Sequence, residues 1–196
     1  VTAGAKPVFV DVKDDYNIDS KKIEKKITKK TKAIMPVHWS GKVCEMNEIL
    51  KISKKYKIPI IEDSCHGILA KYKNRLAGTF GDFGCFSLHP LKNLNVWGDG
   101  GFVVVKKKKH YRKMMLLRNH GLQGRNKNLL FGYNSRLDTL QACVANHLLK
   151  KIKFITNMRI RNANKFDKEL RMLDGIILKK RNKNFKEVYH LYEFRI

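Results

Sequence analysis

The stretch CFSLHPLKNLNVWGDGGFVVV, residues 85–105, places a single lysine between an apolar run and a glycine-dense turn. The alternation of side chains predicts a strand over Gly84–Leu88, and Pro90 ends it because proline donates no backbone hydrogen bond. The GDGG sequence at 98–101 requires a tight turn before FVVV returns as a second strand. Lys92 is therefore predicted to lie on a loop that is anchored at both ends.

Upstream of this stretch, apolar runs alternate with helical patterns. Short β-branched runs at 7–12, 33–37 and 58–63 predict strands, and Ser20–Ile27 and 43–57 have the apolar spacing of amphipathic helices. This alternation indicates an α/β fold with a mostly parallel sheet flanked by helices. Ligands of such sheets bind beyond the carboxyl ends of the strands. The residues that follow each strand are therefore the candidates for a functional site.

An acid and a lysine follow two of the predicted strands. Asp63 comes after IPII and Lys92 after GCFSL, so that one crevice would hold both side chains. From position alone, Asp63 could equally cap the next helical turn and Lys92 could be a solvated loop residue. A positioned lysine with a hydroxyl five residues before it, that of Ser87, suits a Schiff base with a cofactor that carries a phosphate. Pyridoxal phosphate needs these groups, and a carboxylate that keeps its pyridine nitrogen protonated.

Composition limits the class of protein. The 196 residues are 43% hydrophobic and 30% charged, which is typical of a globular chain with one sizeable core. No apolar stretch approaches the roughly 20 residues of a membrane helix and no signal pattern opens the chain, so we expect a soluble, cytoplasmic protein. The four cysteines are too widely spaced for a Cys-x-x-Cys metal site, and we expect free thiols at Cys44, Cys65, Cys85 and Cys143.

The charge balance is strongly basic. Lysine and arginine outnumber the acids by 42 to 17, and the formal charge of +25 raises nucleic acid as a partner. The lysines are dispersed among asparagine and isoleucine, and no run carries the interleaved aromatic residues that would stack bases. We interpret the charge as a solvated surface produced by a bias toward Lys, Asn and Ile. A basic nucleic-acid-binding protein without catalysis is the alternative from another class.

Six blocks of the sequence resemble, in order and spacing, those of the DegT/DnrJ/StrS family of sugar aminotransferases. The blocks are PVHWSG, IIEDSCHG, GTFGDFGCFSLHPLKNLNVWGDGG, LRNHG, GYNSRLDTLQA and VYHLYEFRI. The resemblance covers nearly the whole chain. It implies the aspartate-aminotransferase-like fold (fold type I of the pyridoxal-phosphate enzymes), with part of the large cofactor-binding domain over 1–149. A connecting helix and the start of the small C-terminal domain would occupy 150–196.

The resemblance also implies roles for individual residues. Lys92 would bind pyridoxal phosphate as a Schiff base and then move the proton at the reacting carbon, while Asp63 would pair with the pyridinium nitrogen. Ser87 would donate to the phosphate, and His66 occupies the position where the family places a Gln or His close to the ring. The alternatives are a small buried strand residue for Ser87 and a satisfied core or helix-start histidine for His66. We interpret His38 and His89 as packing or supporting residues.

Two further residues follow from the GYNSR block. By the resemblance, Asn134 would reach the phosphate bound by the neighbouring subunit, because these active sites form between the two chains of a homodimer. Arg136 is a further candidate for contact with cofactor or substrate. The alternative for Asn134 is a cap on a helix that begins near Ser135.

The activity implied by the resemblance is transfer of an amino group from an amino acid, expected to be glutamate, to a nucleotide-linked keto-deoxysugar. The product would enter cell-surface polysaccharide, lipopolysaccharide or other amino-sugar biosynthesis. Sugar dehydratases of the same superfamily are the rival, but they carry histidine in place of the Schiff-base lysine. The family's N-terminal phosphate loop and ring-stacking aromatic residue have no counterpart in the sequence, so we expect these 196 residues to be an internal fragment that is inactive alone.

Overall fold

A central sheet and five helices organise the chain, and the computed structural model describes all residues 1–196. The helices are α1 (Ser20–Ile23), α2 (Met46–Tyr56), α3 (Lys108–Leu117), α4 (Thr139–Leu149) and α5 (Ile152–Leu170), with 3₁₀ turns at Glu24–Lys26 and Trp39–Gly41. The strands are β1 (Ile61–Asp63), β2 (Lys71–Tyr72), β3 (Arg75–Leu76), β4 (Phe83–Ser87), β5 (Gly101–Val105), β6 (Ile177–Leu178), β7 (Phe185–Lys186) and β8 (Phe194–Arg195).

In the central sheet, β1 runs parallel to its neighbours on both sides. Strand β1 pairs with β4 in parallel register, with Ile61 opposite Phe83 and Asp63 opposite Cys85. On the other side of β1, residues 34–38 add a further parallel pairing through two bridges. Strand β5 closes the sheet by pairing antiparallel to β4, while the short strands form two small antiparallel sheets, β3-β2-β7 and β6-β8. The expectation of an α/β fold with a mostly parallel sheet is confirmed.

The segment 33–37 forms bridges rather than a continuous strand. Ile34 bridges Ile60 and Val37 bridges Asp63, both in parallel. Pro36 and Pro59 lie within this pairing, and neither has an N–H group to donate to a ladder. The prediction of a regular strand here was wrong in detail, although the direction and the neighbour were correct.

Two other predicted strands are absent over most of their length. Residues 7–12 contribute only a bridge from Val12 to Ile18, beside which Asp19 N donates to Asp11 O at 2.9 Å, and Phe9 is 84% exposed. The run VYHLYEFRI, residues 188–196, pairs as a strand only over Phe194–Arg195, where β8 lies antiparallel to β6.

The remainder of the C-terminal run is irregular. Tyr189 has a left-handed backbone (φ 50°), which interrupts an extended strand. Val188 N instead donates to Gly41 O at 3.0 Å, and His190 N donates to Ser40 O at 2.9 Å. The segment 188–190 is therefore attached to the Trp39–Gly41 turn.

Helix α2 supplies much of the main core. The predicted apolar stripe is buried at Met46, Ile49 and Ile52, together with Val43 just before the helix, whereas Tyr56 is exposed. These buried side chains pack with the residues beside β1 in one cluster of 14 buried residues. Burial of each such side chain stabilises the fold by about 1.5–3 kcal/mol, which fixes the position of β1 and of the residues that follow it.

Helix α4 begins later than the sequence pattern predicts. It starts at Thr139 after Asp138, rather than near Ser135. Asn134 therefore does not cap this helix. None of the five helices combines the length and the apolar character that a membrane span requires.

Candidate active site

Asp63 and Lys92 follow two strands that end at the same edge of the sheet. Because β1 and β4 run parallel, their carboxyl ends lie side by side. Asp63 is the last residue of β1, and one of its carboxylate oxygens, Oδ1, accepts from Cys65 N at 3.1 Å. The carboxylate forms no ion pair within the chain, so its charge is free to pair with a ligand.

The loop that carries Lys92 is held at both ends and along its length. Leu88 N donates to Gly100 O at 2.8 Å, and Val96 N donates to Leu88 O at 2.9 Å. The buried amide of Asn93 donates to Val188 O at 2.9 Å. These bonds fix the backbone on both sides of Lys92, whose half-buried side chain makes no ion pair within the chain.

The charges of Lys92 and Asp63 act on the same two neighbours. The pKa of His66 is lowered, mainly by burial and then by the positive charge of Lys92, while Asp63 acts in the opposite direction. Burial is also the main reason that the pKa of Cys65 is raised to about 12, and there Asp63 adds to the effect and Lys92 opposes it. Lys92, Asp63 and His66 therefore lie close enough for their charges to interact, at the carboxyl ends of the parallel strands β1 and β4.

His66 is held as a neutral ring. Its Nδ1 accepts from Ser40 N at 3.3 Å, which leaves the hydrogen on Nε2. The lowered pKa keeps the ring uncharged at neutral pH. His66 can therefore pack against an aromatic ring or donate from Nε2 without adding charge to the site.

Ser87 ends β4 at the same edge of the sheet at which Asp63 ends β1. Its Oγ accepts from His89 N at 3.2 Å, so the hydroxyl hydrogen remains available for donation. The side chain is half-buried rather than packed in the core. This hydroxyl suits a phosphate oxygen.

Asn134 and Arg136 are bonded to each other rather than to the residues of this group. Both are exposed, and Arg136 Nε donates to Asn134 Oδ1 at 3.0 Å. Asn134 also forms a backbone bridge with Asn119. No hydrogen bond or ion pair joins either residue to Lys92, Asp63 or Ser87.

His190 is a neighbour of the site that the sequence patterns did not single out. Its ring centroid lies 4.3 Å from that of His66, and Nδ1 is buried without a hydrogen-bond partner. Burial, followed by the charges of His66 and Lys92, lowers the pKa of His190 to about 4. Arg159 of helix α5 donates to Tyr189 O at 2.9 Å and so holds the segment in place.

A buried polar pair involves the residue that precedes Asp63 in β1. Glu62 and His38 are both wholly buried, and His38 Nε2 lies 2.9 Å from Glu62 Oε2. Glu62 also accepts from Gly78 N at 2.8 Å and from Gly81 N. His38 Nδ1 accepts from Cys44 N at 3.2 Å, so that Nε2 carries the hydrogen donated to Glu62. This network joins the end of β1 to the glycine-rich loop before β4.

Removal of the Glu62 carboxylate should destabilise the fold. Glu62→Ala leaves buried donors from His38, Gly78 and Gly81 without a partner, and we expect a loss of about 3 kcal/mol in the free energy of unfolding. Glu48→Ala is the control, because its carboxylate pairs with Lys51 on the exposed face of α2 and should change stability by less than about 0.5 kcal/mol. Urea denaturation measures both, and equal effects would contradict a structural role for the buried network.

The residues present fit pyridoxal phosphate. Lys92 offers an amine, Asp63 a carboxylate without an internal cation, and Ser87 a free hydroxyl hydrogen, all at one edge of the sheet. An aldehyde, a pyridinium nitrogen and a phosphate require these three groups. A parallel α/β sheet with this set at its carboxyl edge defines the class of fold type I pyridoxal-phosphate enzymes.

Comparison with known proteins is consistent with that class. The chain belongs to the DegT/DnrJ/EryC1/StrS aminotransferase family, whose model matches residues 1–196. Pyridoxal phosphate is the cofactor of this family. The resemblance found in the six sequence blocks is thereby confirmed.

Individual relatives agree with the family assignment. The chain is 38% identical over 194 residues to the UDP-N-acetyl-3-dehydro-alpha-D-glucosamine 3-aminotransferase of Acidithiobacillus ferrooxidans, covering 98% of this chain and 52% of the relative. Among solved structures, DesV of S. venezuelae has a TM-score of 0.95 at 32% identity, covering 99% of this chain and 53% of that one. NtdA of Bacillus subtilis, solved with bound PMP, has a TM-score of 0.86 at 31% identity, covering 99% and 45%. The chain thus spans about half the length of these relatives.

Proposed function

We propose that the protein is a pyridoxal-phosphate-dependent aminotransferase that transfers nitrogen from an amino acid, glutamate by expectation, to a nucleotide-linked keto-sugar. The observation that carries the proposal is the position of Asp63 and Lys92 after the carboxyl ends of two neighbouring parallel strands, β1 and β4. Membership of the aminotransferase family supports it. The presence of lysine at position 92, where related dehydratases carry histidine, favours transamination over dehydration.

Each residue of the site has a distinct task in this proposal. When bound, the cofactor supplies an electron sink for the carbon that loses its proton. Lys92 holds the cofactor covalently and then moves the proton at Cα of the amino donor. Asp63 keeps the pyridine nitrogen protonated through a charge-assisted hydrogen bond, and Ser87 donates to the phosphate. His66 packs near the ring as a neutral group.

The acceptor in this proposal is a UDP-linked keto-sugar. Support comes from the Acidithiobacillus ferrooxidans relative, whose name specifies a UDP-linked N-acetyl-3-dehydro sugar. The aminated product would enter the synthesis of surface polysaccharide, including lipopolysaccharide. We place the reaction in the cytoplasm, where nucleotide sugars are made.

The decisive test is a survey of acceptors. The protein expressed from its complete reading frame is mixed with glutamate and a set of UDP-linked 3-keto and 4-keto hexoses, and amino-sugar formation is measured. At least one keto-sugar should be aminated with release of 2-oxoglutarate. Steep salt-dependent retention on DNA without any amination would instead favour the nucleic-acid-binding alternative.

We also propose a homodimer in which Asn134 serves the neighbouring active site. Its exposure, and the lack of any hydrogen bond from its side chain to Lys92, Asp63 or Ser87 within one chain, support a role across a subunit boundary. Arg136 lies beside it and is a candidate for contact with cofactor or substrate. Sites shared between subunits require such residues on a surface that the partner can reach.

Mixed dimers test this arrangement. Lys92→Ala and Asn134→Ala should each be inactive as homodimers, while a mixture should regain up to about a quarter of wild-type activity, because half of the dimers are mixed and one site in each is intact. Activity is measured after subunit exchange, which mass spectrometry of the intact dimers verifies. Exchange without recovery would contradict the placement of Asn134 in the partner's site.

A further inference from the structure

A surface pocket adjoins the candidate active site and is separated from His66 by the ring of Trp39. Its volume is about 400 Å³, and it is lined by Val12, Tyr16, Trp39 and Glu193. The pocket is shallow and open to solvent. Trp39 belongs to both the pocket and the surroundings of the candidate active site, because its ring centroid lies 5.2 Å from that of His66.

The aromatic wall of this pocket is held in position before any ligand binds. The backbone N–H of Trp39 donates to Asn17 Oδ1 at 3.0 Å, and Asn17 is buried. The indole Nε1 of Trp39 donates to Glu193. The residue is nevertheless 37% exposed, so one part of its ring is free to contact a ligand.

The charges in the pocket are balanced. Burial acts to raise the pKa of Glu193, but the hydrogen bonds from Lys179 and Trp39 lower it overall, so the carboxylate is ionised at neutral pH. Lys179 pairs with that carboxylate and lies 4.6 Å from the ring centre of Tyr16. The ammonium is therefore occupied, and the pocket offers a carboxylate acceptor and aromatic surface rather than a site for phosphate.

We infer that this pocket binds the hexose ring of the nucleotide-sugar, with Trp39 packed against its C–H face and Glu193 accepting from a hydroxyl or amide N–H group. The inference rests on the proposed function for the identity of the substrate. An aromatic face and a carboxylate acceptor fit a neutral polyhydroxylated ring, whereas a diphosphate would find no unpaired cation in the pocket, because Lys179 is paired with Glu193. Trp39 and Glu193 would thus contribute to the choice of sugar.

Calorimetric titration with two probes tests the inference. The cofactor-loaded protein from the complete reading frame is titrated with UDP-N-acetylglucosamine, which has no keto group, and with UDP alone. Trp39→Ala should weaken binding of UDP-N-acetylglucosamine about tenfold and leave the affinity for UDP within about twofold. Trp39→Phe, which retains an aromatic face, should recover most of the loss. Tyr111→Ala, on the exposed surface of α3, is the control and should change neither affinity.

Other results would overturn the inference. An equal loss for both probes would place the nucleotide in the pocket, and no loss for either would leave the pocket outside the substrate site. Circular dichroism and the retained affinity for UDP verify that Trp39→Ala folds. The reaction of the unaltered protein with glutamate is measured separately. If that reaction fails, the proposed function fails, while the difference between the two probes still decides whether the pocket binds sugar.

Discussion

Lys92→Ala should abolish transamination, with a loss of at least about 10⁴-fold in turnover. Lys92 is the only lysine on the anchored loop that follows β4, at the edge of the sheet where β1 ends at Asp63. The variant should also lose the visible absorbance of the covalently bound cofactor, even if the phosphate still binds through Ser87. Absorbance spectroscopy and an assay with glutamate measure the two losses.

A matched substitution separates this effect from a general loss of positive charge. Lys113→Ala removes a lysine from the exposed surface of α3 and should leave turnover within about twofold of the unaltered protein. Substantial activity in Lys92→Ala would assign the covalent role to another lysine.

Asp63→Asn should lower the rate by about 10²- to 10⁴-fold, which corresponds to several kcal/mol of barrier. The amide retains an oxygen that can accept from Cys65 N, but it has no charge to keep the pyridine nitrogen protonated. Because asparagine caps a turn about as well as aspartate, this variant separates the catalytic role from the capping alternative. Steady-state kinetics provide the measurement.

Asp82→Asn is the control for this second prediction. Asp82 is also a half-buried carboxylate beside the sheet, and its Oδ2 accepts from Ile60 N at 3.1 Å. We expect its activity to stay within about threefold of the unaltered protein. If Asp63→Asn is as active as Asp82→Asn, Asp63 serves only to cap the turn that follows β1.

The parallel sheet, and the position of Asp63 and Lys92 beyond the ends of two of its strands, followed from local patterns. The run before Asp63 and the run before Lys92 are short, apolar and followed by polar residues, and both form strands that end at one edge. The helix between the earlier runs was also predictable, because the spacing of Met46, Ile49 and Ile52 gives one buried stripe.

Other features depend on contacts between distant residues. The alternation in VYHLYEFRI predicts a strand, yet Val188 and His190 bond to the Trp39–Gly41 turn and Tyr189 takes a left-handed backbone. The place of His190 beside His66 follows from those bonds and has no local signal in the sequence. The structural role of Glu62 also has no local signal in the sequence, because its hydrogen-bond partners lie 16 to 24 residues away.

The most direct measurement is the position of the covalent link to the cofactor. The protein from the complete reading frame is reduced with borohydride in the presence of pyridoxal phosphate, digested and mapped by mass spectrometry. We predict that the added mass lies on Lys92 and disappears in Lys92→Ala. A label on another lysine, or no label in a correctly folded protein, would contradict the assignment of this site.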